Sequence, residues 1–122
     1  MTDLEIARQQ DIAPWDLKVD ELSDFHVAVF QDRFPVTPGH LLFVPQYNTD
    51  EVIIDCIELA MLHGRKQVAQ GHCEGFNIGI NQGAIAGQTI FHTHMHLIPR
   101  RKGDVENPTG GVRNVIPGKG EY

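Results

Sequence analysis

Residues 92–96 read His-Thr-His-Met-His, inside an otherwise apolar run from Ile90 to Ile98. Three of the chain's seven histidines therefore sit at strict alternation. Side chains alternate between the two faces of a β-strand. A strand from about Thr89 to Pro99 would project His92, His94 and His96 from one face and Thr93, Met95 and Leu97 from the other. A partly buried imidazole needs hydrogen-bond partners and titrates near neutral pH. A row of three is hard to explain by packing alone, so the pattern predicts a strand with chemistry on one of its faces.

The remaining punctuation surrounds this strand with a small α+β fold. A helix is expected over Asp3–Gln10, ending before Pro14. Leu17–Leu22 reads as a short strand and Asp24–Phe30 as a second. Pro35, Pro38 and Gly39 mark a loop, and His40–Pro45 is a compact buried strand with a proline stop. Asn48 is placed as an N-cap, with Glu51 three residues later, for one long helix from Asp50 to about Gln70. Phe76–Asn81 is a further strand with Phe76, Ile78 and Ile80 inward. A glycine-bearing loop over residues 82–88 leads into the histidine strand. The order of elements implies a mainly antiparallel sheet with one main helix packed on a face.

At 122 residues the chain fits one domain, residues 1–122, with a weakly ordered segment over 1–15 and a tail over 103–122. A formal net charge of -6 argues against a nucleic-acid coat or an anionic-membrane binder, though not against a small anion held by local donors. Cys56 and Cys73 form no Cys-x-x-Cys motif and are expected as free thiols. No stretch approaches the length of a membrane span, and the acidic start lacks the sections of a signal peptide. A cytoplasmic protein is expected.

Clustered histidines first suggest zinc. Same-face neighbours on a strand lie roughly 6.6 Å apart and the outer two roughly 13 Å, whereas zinc holds nitrogens at about 2 Å. Three on one straight strand make a poor cage, and a further ligand such as His40 would have to come from a neighbouring strand. No metal ligand is assigned. An extended row suits phosphoryl chemistry better: one imidazole attacks phosphorus, and its neighbours orient it and meet the leaving group. Upstream, Ala86-Gly87-Gln88-Thr89 can cradle an anion through backbone N–H groups, the Gln88 amide and the Thr89 hydroxyl. Asn81 ends the preceding strand on its polar face and can reach the same pocket. Arg100, Arg101 and Lys102 are read as a solvated basic patch.

These motifs together resemble the histidine triad (HIT) superfamily of nucleotide hydrolases and transferases. His92–Ile98 matches its His-x-His-x-His-apolar-apolar signature. The segment from Asn81 through Gly87-Gln88-Thr89 resembles its phosphate-binding stretch, and Pro38–Pro45 its Pro-Gly-His strand. Arg100–Asp104 and Gly110–Pro117 resemble the C-terminal end of bacterial members similar to diadenosine-polyphosphate hydrolases. The resemblance runs from about residue 20 to the end.

It implies a HIT-like fold, a five-stranded sheet joined to a second in a two-fold homodimer, and no required cofactor, with a divalent cation accompanying a polyphosphate substrate. It also implies roles. His94 would be the nucleophile and His96 would meet the phosphate or leaving group. His92 would support the site and His40 would orient His94. Asp32 would take the ribose hydroxyls. Asn81, Gly87, Gln88 and Thr89 would hold the α-phosphate. The implied substrate is a purine nucleotide derivative, either a dinucleoside polyphosphate or a nucleoside phosphoramidate. A nucleotide-binding protein with little catalysis and a metal-dependent hydrolase are the alternatives. Thr93 departs from the usual apolar residue on the opposite face, and the Cys-x-x-Cys of some bacterial relatives is missing.

Overall fold

The computed structural model describes residues 1–8 and 17–120. Its elements are helix α1 (Asp3–Arg8), strands β1 (Leu17–Lys18), β2 (Val27–Gln31) and β3 (Leu41–Pro45), the long helix α2 (Asp50–Ala69), and strands β4 (Gly75–Ile80) and β5 (Met95–Arg100). The expected helix end at Gln10 and Pro14 lies outside the described residues. The five strands form one sheet in the order β1-β2-β3-β5-β4, and every pairing is antiparallel. The α+β class, the five-stranded sheet and the single main helix are as expected.

The strand residues that alternate toward α2 form the main core. Val27, Val29, Leu41, Phe43, Met95 and Leu97 pack with Cys56 and Ala60 of the helix, and Phe76, Ile78 and Ile80 join them from β4. Cys56 lies at the centre of this layer, where burial, then Asp55 and Asp24, push its thiol up to about 12. It is a packing residue; both cysteines are buried and free. Ala28, Phe30, Leu42 and Val44 point the other way and are covered by Leu4 and Ala7 of α1 and by Ile90. Farther along that second face, Asn77, His96, Ile98 and Arg100 are only partly buried. The opposite face is occupied by α2, so this is where chemistry has room.

Several boundaries differ from the sequence reading for local reasons. The helix N-cap is Thr49 rather than Asn48, with its hydroxyl accepting from the Val52 N–H at 3.4 Å. The helix closes in a Schellman pattern: His72 N–H bonds Gln67 C=O and Gly71 N–H bonds Val68 C=O, with Gly71 at φ +78°. Gly64 is retained because a Cβ there would stand 2.8 Å from the Phe76 ring. The strand expected over Leu17–Leu22 survives only as Leu17–Lys18, followed by a 3-10 turn over Asp20–Leu22. The second strand starts at Val27, because the Asp24 carboxylate accepts the His26 and Val27 N–H groups at 2.8 Å each and closes a turn.

The largest correction concerns the histidine strand. It begins at Met95, not Thr89. Strand β4 ends at Ile80, opposite Met95, and β3 pairs with β5 only as far as Phe43–Met95. Residues 89–94 have no ladder to join. Of the row, only His96 is a strand residue; His92 and His94 lie in the segment that feeds it.

Candidate active site

Antiparallel register assembles one half of the site. Gln31 pairs with Leu41, and the Asp32 N–H continues the ladder to His40 C=O at 3.1 Å. Leu42 pairs with His96. Asp32, His40 and His96 thus fall on one diagonal of one face. His40 is delivered by a tight turn, Thr37-Pro38-Gly39-His40, closed by His40 N–H to Thr37 C=O at 3.2 Å with Gly39 at φ +88°. Proline followed by a left-handed glycine is what a type II turn requires.

Hydrogen-bond partners assign the ring protons. The Val36 N–H donates to His40 Nδ1 at 3.2 Å, so the neutral ring carries its proton on Nε2. That proton points at His96 Nδ1, 2.9 Å away, and at Asp32 Oδ2, 3.3 Å away. His96 Nδ1 is therefore an acceptor and its Nε2 the donor. His96 is held neutral, its pKa pushed down to about 4 by burial and then by the neighbouring His94 and His40, against the opposing pull of Asp32. Burial also lowers His40, again opposed by Asp32.

The other half hangs from the end of β3. His92 is buried, and its Nε2–H donates to the Pro45 carbonyl at 2.6 Å. Its own backbone carbonyl accepts from His94 Nδ1 at 2.9 Å. A carbonyl can only accept, so His94 has its proton on Nδ1 and its lone pair on Nε2. The His94 and His96 rings lie 5.4 Å apart, centre to centre. Burial lowers the pKa of His92, partly offset by the Pro45 bond.

The structure brings Asp32, His40 and His96 together and links His92 to His94, but divides the labour differently from expectation. His40 was expected to orient His94; both of its ring nitrogens are instead engaged by Val36, His96 and Asp32. Asp32, expected to take the ribose hydroxyls, has Oδ1 accepting from Phe34 N–H at 2.8 Å and Oδ2 facing His40. Gln88 is buried, its Oε1 accepting from Gly83 N–H at 2.8 Å and its Nε2 donating to Ile90 C=O at 3.0 Å. It staples the loop instead of reaching outward. The Gly87 N–H closes a 3-10 turn onto Ala84 C=O. Asn81 and Thr89 are exposed at the loop's mouth. Thr93 Oγ1, on the buried side, reaches Gln82 at 3.4 Å.

The basic run is not solvated in the expected way. Arg100 makes a bidentate pair with Asp104, at 2.8 and 2.9 Å, and also donates to Asn77. The pair holds the Asp104 carboxyl well below its usual range. Arg101 donates to Thr37 Oγ1, Pro38 C=O and His72 C=O, clamping the turn that carries His40. The Pro38-Gly39 dipeptide signalled that turn; nothing local signalled the clamp or the Val36 N–H. Beyond His96 the face opens into a cavity of about 420 Å³ between Ile98, Asn77 and the C-terminal segment.

Asp32, His40 and His96 are the one grouping of three potential metal ligands found among the described residues. The donor set does not suit an ion. A ligating imidazole offers a lone pair, whereas the Val36 N–H keeps a proton on the His40 nitrogen that faces the other two.

The HIT domain model matches residues 22–103. The protein Hit of Bacillus subtilis is 40% identical over 89 residues, covering 66% of this chain and 61% of that protein. The adenylylsulfatase HINT3 of Arabidopsis thaliana is 38% identical over 81 residues, covering 60% of this chain and 41% of that protein. A zinc-bound histidine triad protein from Mycobacterium smegmatis superposes with a TM-score of 0.66 at 30% identity, over 82% of this chain and 74% of that one. The matched region spans 58%, 57% and 61% of three of the curated relatives. With the family model matching well over half its length, the chain belongs to the HIT domain family.

Proposed function

We propose that the protein is a nucleotide hydrolase or nucleotidyl transferase acting at the α-phosphate of a purine nucleotide derivative, a dinucleoside polyphosphate or a nucleoside phosphoramidate. The observation that carries this is the bond from His94 Nδ1–H to the His92 carbonyl, which leaves the lone pair on Nε2. In the first step that pair attacks the α-phosphorus and the bond to the leaving group breaks. The ring then carries a positive charge, and the carbonyl dipole on Nδ1–H stabilises it. Water next attacks the nucleotidyl-histidine; the N–P bond breaks, His94 departs as neutral imidazole, and the proton lost by the water passes to solvent as the nucleoside monophosphate is released. His96 Nε2–H donates to an oxygen at the reacting phosphorus, Asn81 and Thr89 hold the others, and Asp32 turns to the ribose. The relative HINT3, named an adenylylsulfatase, supports cleavage next to an adenylyl phosphate.

No metal is required for the covalent step. Among the described residues β4 is an edge strand, and pairing along that edge would join two five-stranded sheets into a homodimer. Light scattering of the purified protein tests that state, and a monomer at micromolar concentration overturns it. Among the described residues, no helix is long and apolar enough to cross a membrane. The test of function is a panel of diadenosine tetraphosphate, adenosine phosphosulfate and adenosine phosphoramidate, with rapid-quench mass spectrometry for a nucleotidyl adduct. An adduct on wild type that is missing from His94→Ala supports the mechanism. Full turnover by His94→Ala overturns it.

A further inference from the structure

On the helix side of the sheet, away from the histidines, Phe25 stands 94% exposed. A closed turn before β2 holds it there. The Asp24 N–H donates to Val27 C=O at 2.8 Å, and the Asp24 carboxylate accepts the His26 and Val27 N–H groups. The turn satisfies its own backbone and leaves the Phe25 ring in water. His26 then ties the turn to α2, its Nδ1–H donating to Asp55 Oδ2 at 3.1 Å. Between turn and helix lies a cavity of about 500 Å³. Phe25 lines it together with Leu62, itself 64% exposed, and with Leu59, which packs on the core. Asp24, Asp55 and Glu58 line it too, and His26 is the one basic side chain among the lining residues. Asp24 and Asp55 are engaged by the turn and by His26, but among the described residues the Glu58 carboxylate has no partner.

We propose that this groove docks a segment of a partner protein that presents arginine beside an aliphatic side chain. Apolar surface rimmed by polar groups gains from leaving water, and Phe25 and Leu62 supply it. The carboxylates then select the charge of what covers it. A guanidinium can stack on the Phe25 ring and send its forked N–H groups to Glu58 together, which a point-charged ammonium does less well. Nucleic acid or an anionic lipid surface would meet three carboxylates here and be repelled. A symmetric pair of copies would bring the same carboxylates of both chains into one interface. The groove lies across the sheet from His94 and His96, so docking leaves their chemistry untouched and does not depend on the nucleotidyl-transfer reading.

The probe is a capped peptide of leucine and arginine in equal number, with a leucine–citrulline peptide as its neutral counterpart. Titrated into the full ¹⁵N-labelled chain, the arginine peptide should move the amide signals of Phe25, His26, Glu58 and Leu62 and leave those of His94 and His96 in place. Phe25→Ser and Glu58→Lys should each weaken binding by about 10-fold or more, the scale of an anchor residue at an interface. Replacing arginine by citrulline should cost about as much. Both substituted side chains are exposed and lie outside the histidine site, so thermal melts and nucleotide turnover should match wild type. Absence of binding at millimolar peptide overturns the proposal. Equal affinity of Phe25→Ser and wild type also overturns it, because the attraction would then be to the net charge of the chain. Equal binding of the citrulline peptide removes the role of the carboxylates and overturns it as well. If the free protein self-associates in light scattering and Phe25→Ser abolishes this, the occupant is a second copy and the proposal fails.

Discussion

Replacing His92 by phenylalanine separates its ring from its backbone. The ring donates a 2.6 Å bond to the Pro45 carbonyl, in a position where His92 is only 7% exposed and Pro45 is fully buried. Phenylalanine fills similar space but brings no donor, so that carbonyl is left buried and unsatisfied at a cost of about 1–3 kcal/mol. Taking about 2 kcal/mol, and about 4 °C per kcal/mol for a domain of this size, Tm should fall by about 8 °C. Turnover should fall further than stability explains. The same residue's carbonyl fixes the His94 proton on Nδ1, and releasing the ring from β3 lets that peptide drift. A displacement of an ångström at a reacting group can cost about 100-fold, so a 10- to 100-fold loss in kcat is expected, with AMP affinity little changed. His92→Gln, whose amide N–H can reach the same carbonyl, should recover much of both. The assays are thermal melts and steady-state kinetics on the three proteins. A His92→Phe variant that melts within about 1 °C of wild type would refute the argument, as would His92→Gln behaving no better than phenylalanine.

Other consequences are simpler to state. Gly64→Ala should gain up to about 1 kcal/mol of helix propensity but lose about 1–3 kcal/mol to the Phe76 ring, a net destabilisation visible as a lower urea midpoint; a stabilised variant would show that α2 and β4 have slack. Lowered histidine values make stability pH-dependent. His96 binds its proton at about 4 in the fold and near 6.5 when unfolded, so its contribution is present above about pH 6.5 and lost as pH falls toward 4. Discounted for partial exposure this is about 2 kcal/mol, with His40, His63 and His92 adding in the same direction. Urea midpoints equal at pH 7.5 and 4.5 would contradict it. Asp32→Ala should weaken nucleotides far more than ribose-free phosphates; equal loss in calorimetry would confine Asp32 to its contacts with His40 and Phe34. A chelator should leave formation of the nucleotidyl adduct unchanged in rapid-quench experiments, and loss of the adduct would argue for a bound ion.

Much of the fold was written in short-range patterns. Alternation in Phe76–Ile80 gave a strand with the right inward face, the apolar run Leu41–Val44 gave a buried strand, and the ends of α2 were placed to within a residue. The histidine row misled on one point because alternation describes what a segment can do, not whether a partner is available. Thr89–His94 alternates as well as β5 does, yet β4 stops at Ile80, and the length of a neighbouring strand is not visible from the segment itself. The histidines that the structure brings together each belong to a motif, the triad or the Pro-Gly-His strand, and so were legible as candidates. Their pairings were not. That His40 meets His96 instead of His94 depends on a diagonal in the register, and the tautomers depend on a backbone N–H from Val36. Gln88 has the chemistry to bind phosphate and the position to staple a loop, and only the fold decides between them.

The Arg101 clamp changes what counts as the transferable unit of this site. Its guanidinium reaches three acceptors from two separate stretches of chain, the turn at Thr37–Pro38 and the end of the helix at His72. A lysine offers one point charge and cannot match that fork. Grafting the histidine row and the Pro-Gly-His strand onto another scaffold would therefore carry the reactive groups without the brace that sets the depth of His40. Such a graft should bind nucleotide and turn over poorly until an arginine just past the strand is supplied with it, so the minimal portable site extends through Arg101, beyond the last histidine.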